Sequence, residues 1–190
     1  MATVAKVDRL HFTGNDDADA LIARDPLALL IGFALDQQVP VPTAFTGPLK
    51  LKQRLGTLDA EAIAREDPAR LEEIFREKPA IHRFPGTMAQ RVQDLAATVA
   101  EEYEGHAERV WMEARDGRDL EARLRALPGF GDMKVRAMLG VLTKRFGVDL
   151  PGIDEVAPKH PTLGDVDSAE ALEEYQAKKR AHKASLRAKQ

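Results

Sequence analysis

Apolar residues recur along this chain at three- and four-residue spacing almost from end to end, the pattern of amphipathic helices sharing a core. Asp16-Asp17 precede a short amphipathic stretch running to about Arg24. Pro26 suits a helix start, because its φ is fixed and its missing N–H would be unpaired there anyway. Leu27 to Leu35 is apolar on every side and is expected to be the central buried helix. Val39-Pro40-Val41-Pro42 ends it, since residues before proline avoid the helical region. A helical segment follows over Thr43 to Leu55, with an interruption expected at Gly47-Pro48. Leu58 to Arg65 and Pro68 to Lys78 continue the helical spacing.

Ile81 to Gly86 reads as a loop, and Thr87 as the N-cap of a helix over Met88 to Tyr103. Met88, Val92, Leu95 and Val99 share one face of it, and Gly105 is its stop. Two shorter helices are expected over His106 to Arg115 and Asp119 to Ala126, separated at Gly117. The apolar period resumes from Val135 to Phe146. No stretch of useful length alternates as a strand does, so the predicted fold class is all-α.

A chain of 190 residues, 44% apolar, accommodates one large domain or two intimately packed lobes. The longest apolar run, Pro26 to Leu35, has the length of a core helix, well short of the roughly 18 residues a membrane span needs. No secretory signal pattern opens the sequence, and a cytoplasmic, nucleoid-associated monomer is the expectation. The absence of cysteine excludes disulfides, thiolate zinc sites and cysteine-ligated iron–sulfur clusters. Histidines are scattered, with no pair at metal-ligand spacing, so no cofactor is expected.

Charge is unevenly distributed. After Glu174 there are no acids, while Lys178, Lys179, Arg180, Lys183, Arg187 and Lys189 supply six positive charges, leaving −9 on the rest of a chain whose net is −3. A basic tail (176–190) on an acidic body is an asymmetry found in nucleic-acid binders; a solvated helix end is the plain alternative.

Leu127-Pro128-Gly129-Phe130-Gly131 joins two periodic helices. Glycines there permit backbone conformations closed to other residues and let N–H groups approach a phosphate, aided by the following helix N-terminus. Such a hairpin grips the DNA backbone without reading sequence. It resembles the hairpin of the helix-hairpin-helix (HhH-GPD) DNA glycosylase superfamily, which includes endonuclease III and the adenine and alkyl-purine glycosylases. The resemblance covers about Leu27 to Asp154 and is to a small subgroup without the iron–sulfur cluster.

It implies a two-lobed helical fold, with one lobe over 27–130 and the second joining 1–26 to 131–175. Leu35-Asp-Gln-Gln-Val39 is similar to the segment in which a glutamine fills the gap left by a flipped nucleotide, a role that falls to Gln38. Arg83-Phe-Pro-Gly-Thr-Met-Ala89 is similar to the family's second wedge loop, with Phe84 as the wedge. Gln37, His82 and Arg83 are further candidate DNA contacts. Glutamine suits a plug because its amide both donates and accepts, and an aromatic wedge replaces lost stacking.

Breaking an N-glycosidic bond develops positive charge on the sugar, which a carboxylate stabilises while orienting water. Counting eight residues from Phe146 places the family's aspartate at Asp154, although counting from the hairpin lands on Pro151. Asp36 is the alternative carboxylate, and Asp149 a weaker third. The position of the lysine that attacks the sugar in bifunctional members holds Met133. Lys134 comes one residue later, about 100° around the helix, and is expected at a phosphate unless the turn shifts by one residue.

The resemblance therefore implies a monofunctional glycosylase acting on a damaged base in double-stranded DNA, with a monovalent cation in the hairpin. The same fold kept as an inactive damage sensor is the alternative, and the damaged base itself stays open. Trp111 and Tyr103 are expected in the core.

Overall fold

The computed structural model describes residues 4–189, and over them the chain is all-helical. The N-terminal caps explain where most helices begin. Asn15 accepts from Ala18 N–H at the start of α1 (Asp16–Arg24). Asp25 accepts from Leu27 and Ala28 N–H and starts α2 (Pro26–Leu35). Every residue of α2 from Leu27 onward is buried, and α1, α3 (Val41–Leu55) and α6 (Pro85–Glu102) pack around it.

α3 runs unbroken through Gly47-Pro48, where an interruption was expected. The reason is packing. A Cβ on Gly47 would stand 2.5 Å from Leu35 Cδ1, so the bare glycine is what lets α3 close on the end of α2. One turn earlier on α2, Gly32 makes room for the Phe45 ring in the same way. Phe45 lies edge-on to Phe33 and Phe12, each at 5.1 Å.

α4 (Ala60–Arg65) and α5 (Pro68–Arg76), capped by Asp59 and Asp67, lie against α6. The buried Gln93 amide donates from α6 to Ile63 and Glu66 carbonyls, closing the end of α4. α6 begins at Pro85 with Phe84 at the cap position, three residues before the expected cap; Thr87 is an exposed member of its first turn. α7 (Arg109–Met112) is a single turn where a longer helix was expected.

α8 (Gly117–Ala126), capped by Asp116, packs on α7, α9 (Asp132–Lys144) and the short α10 (Ile153–Val156). A 3-10 turn at Leu163–Asp165 lies against α9, and α11 (Ala169–Arg187), capped by Ser168, completes the chain. Tyr103 and Trp111 are both in the core.

The apportioning of segments differs from the expectation. α1 packs on α2 and α3, where Ile22 and Ala18 are buried, and Ala5 N–H donates to Phe146 O at 2.7 Å in the later segment. α8 packs on α7 as well as on α9 and α10. One hydrophobic core runs from Leu10 to Leu172.

The closest helix-to-turn approach predicts a stability contrast. A Cβ on Gly164 would meet Gly140 O at 2.2 Å, backbone against backbone, whereas one on Gly131 meets nothing within 4 Å. Gly164→Ala should cost about 1–3 kcal/mol in chemical denaturation, and Gly131→Ala should stay within about 0.5 kcal/mol.

Candidate functional site

α2 ends inside the protein, and its last carbonyls need donors. The buried His82 ring supplies one: Nε2 lies 3.1 Å from both Leu35 O and Gln37 O, while Nδ1 accepts from Phe84 N–H at 3.0 Å. That pattern places the ring proton on Nε2. Burial holds the imidazole below its ordinary pKa, so it is neutral. The expected DNA contact at His82 is thereby corrected: the ring is 1% exposed and staples the 36–38 loop to the start of α6.

Lys134 supplies the second donor. Its Nζ reaches Ala34 O at 2.9 Å, so the side chain turns inward from α9 to the end of α2 instead of outward to a phosphate. Met133, at the position that the resemblance gives to a lysine, is 84% exposed. Burial and the nearby Arg91 guanidinium lower the Lys134 pKa to about 8, against the opposing pull of Asp36.

These contacts frame a cavity of about 450 Å³ between α2, the hairpin and α11. Phe33, Ala137, Leu163 and Tyr175 give it apolar walls, and Asp36, Lys134 and Lys179 give it charge. Asp36 sits at the C-cap of α2 with its side chain 14% exposed. Among the described residues its carboxylate accepts no hydrogen bond, and Lys179 Nζ stands off at 4.0 Å. Burial raises its pKa, partly offset by Lys179 and Lys134; the negative end of the helix dipole opposes its charge as well.

The hairpin turn forms one rim. Phe130 N–H closes it onto Leu127 O at 3.1 Å, and the Phe130 ring packs toward Phe33 at 6.3 Å. Gly129 has φ +83°, and a Cβ there would meet Arg91 Cδ at 2.6 Å, so two independent demands require glycine. Arg91 bridges this rim to the loop after α2, donating to Gln37 Oε1. Gln37 is thus tied internally. Gln38 beside it is exposed, makes no side-chain hydrogen bond among the described residues and holds φ +57°, a conformation costly for a residue with a Cβ. Phe84 is 40% exposed, with the Arg83 guanidinium 4.9 Å above its ring.

The helix N-termini around the Gln37 loop share one character. Among helices of eight or more residues, α1, α2, α5, α8 and α11 carry side-chain N-caps, whereas α3, α6 and α9 have none. These three begin within reach of the Gln37 loop, which runs into α3 and is joined to α6 through His82 and to the hairpin through Arg91. Asp132, in the first turn of α9, is drawn back by Arg125 of α8.

Asp154 is elsewhere. After α9 the chain folds back, Val148 N–H donating to Leu142 O, and α10 packs against the N-terminus of α8. The hairpin lies at the other end of α8, about 15 Å away for ten residues. Asp154 is exposed there, Asp149 is exposed too, and neither lines the cavity. Of the expected carboxylates, the structure brings Asp36 to the hairpin. Arg91, Tyr175 and Lys179 were not anticipated as site residues; Arg91 is a lone cation bordering the apolar face of α6, a signal visible in its spacing from Met88.

Among the described residues no helix is long and apolar enough to cross a membrane, and no cluster of three or more acids or histidines is placed to hold a metal. No family model matches the chain, and comparison with curated proteins and with solved structures likewise finds no match.

The neutral His82 staple carries a pH signature. The folded protein binds a proton less readily there than the unfolded chain, so stability falls as pH drops below about 6.5. His82→Leu should cost about 1–3 kcal/mol at pH 7.5 by leaving two carbonyls unpaired. It should also flatten the acid-side decline; denaturation midpoints from pH 7.5 to 5 measure both, and parallel curves would refute the role.

Proposed function

We propose that this chain is a DNA glycosylase with the two-lobed HhH-GPD fold, hydrolysing the N-glycosidic bond of a damaged base with Asp36 as the catalytic carboxylate. The observation that carries this reading is the meeting of a largely buried, unbonded carboxylate with a hairpin turn and the uncapped N-terminus of α9 around one cavity. Free N–H groups at helix starts favour phosphates, and the cavity is large enough for an extruded base. Gln38, next to the cavity-lining Gln37, and Phe84, joined to that loop through His82, are both exposed and are the plugs for the vacated stack.

In this reading the duplex backbone rests on the hairpin, Leu127 to Gly131, and the flipped base enters between Phe33 and Tyr175. Ionised Asp36 faces the sugar, stabilising the positive charge that develops at C1′ and orienting water for attack. A monovalent cation bound at the turn would be held by its main-chain carbonyls, against phosphate; Leu127 O already accepts from Phe130.

Single-turnover base release tests the assignment, using duplexes that carry uracil, hypoxanthine, 3-methyladenine, 8-oxoguanine or an oxidised pyrimidine. Asp36→Asn should slow release at least about 100-fold, and Asp154→Asn should leave it within twofold. Because burial raises the Asp36 pKa, the rate should fall on the acid side above the ordinary carboxylate range. Tight, salt-sensitive binding without release of any base would instead assign a damage sensor.

The inward Lys134 favours a second reading, in which the chain also acts on the abasic product. The neutral amine would attack C1′ of the ring-opened sugar and expel water, forming an imine. Borohydride trapping on abasic duplex should then rise with pH through about 8 and vanish in Lys134→Met. No trapped complex at pH 8.5 would leave the chain monofunctional.

A further inference from the structure

α11 changes character along its length. Glu170, Glu173 and Glu174 lie in its first two turns, where Leu172 and Tyr175 pack its root against the body. Beyond Glu174 it carries five cations and no acid, and Lys189 follows just past its end. Lys178 pairs with Glu174, and Lys179 faces Asp36 at the cavity. Arg180, Lys183, Arg187 and Lys189 are exposed and, among the described residues, have no carboxylate within ion-pair distance.

The placement of these cations is not explained by the helix itself. Favourable interaction with the dipole is confined to the last turn, which leaves Arg180 and Lys183 without that benefit. Arg180–Lys183 and Lys183–Arg187, three and four residues apart, are like-charge neighbours that weaken an isolated helix. A polyanion laid alongside would relieve this repulsion. At about 100° per residue, Lys183, Arg187 and Arg180 turn about 40°, 80° and 100° from Lys179, all to the same side. The stripe therefore starts at the cavity and reaches about 12 Å further along the axis by Arg187. A duplex presents a negative charge about every 1.7 Å of its axis, so several phosphates fall within that span.

We propose that the outer half of α11 is a second contact to the phosphate backbone, lying along the duplex beside the base held in the cavity. This rests on the DNA reading above. The contact is sequence-independent and extends the footprint beyond the hairpin.

The test measures the slope of log Kd against log salt for a lesion-bearing duplex, with the full chain and with Arg180→Gln/Lys183→Gln/Arg187→Gln. All three positions are exposed and glutamine is a good helix former; circular dichroism checks that the helix persists, and a chain ending at Lys179 provides an independent variant. The triple variant should bind more weakly with a slope shallower by about 2 to 3, while single-turnover release at saturating protein stays within twofold. An unchanged slope in a wild type that binds duplex steeply overturns the α11 contact and leaves the glycosylase reading standing. No salt-dependent duplex binding by the wild type removes both. Binding to vesicles of anionic phospholipid that the substitutions abolish, with the duplex slope unmoved, overturns the proposal in favour of a lipid surface.

Discussion

A helix that ends inside a protein leaves carbonyls that water cannot reach, and the arrangement of this molecule follows from how α2 meets that demand. Ala34 O takes the Lys134 ammonium and Leu35 O takes the His82 ring. One donor comes from α9, just past the hairpin, and the other from the segment opening α6. Satisfying two buried acceptors therefore fixes the hairpin and the Phe84 loop relative to Asp36, Gln37 and Gln38. The cavity is the space left between elements that are held for another reason.

The same constraint sets the electrostatics. Placing a carboxylate at the negative end of a buried helix is unfavourable, and so is drawing an ammonium inward. Each makes the other tolerable. Asp36 is pushed up by burial and pulled down by Lys179 and Lys134, while Lys134 is pushed down by burial and Arg91 and pulled up by Asp36. Both groups end nearer neutrality than their ordinary values, the condition under which a side chain exchanges protons readily.

Much of the helical layout was legible in the sequence because local rules decide it: Pro26 at a helix start, apolar residues on all sides of α2, Gly105 at the end of α6. The Pro-Gly-Phe-Gly turn stood out for the same reason. Gly47-Pro48 misled because a local breaker pair was serving a contact with Leu35 that no periodicity reveals. Asp154 lies away from the hairpin because the chain doubles back between Arg145 and Leu150, which residue counting cannot see. Lys134 was placed outward by an angular argument from the turn, when its side chain turns inward to Ala34 O. Tyr175 and Lys179 sit well over a hundred residues from Asp36, and nothing local joins them.

The separation of charge along the chain also bears on motion before contact. A body carrying −9 with six cations gathered on and just past one exposed helix has a large permanent dipole moment. In the field of any rod-like polyanion such a particle rotates as it diffuses, presenting its cationic pole and turning its acidic flank away. Collisions then occur mostly in one orientation, the one that brings the outer half of α11 to the surface first, with the cavity at the inner end of its cationic stripe. The body's negative charge, which lowers equilibrium affinity, acts here as a rudder.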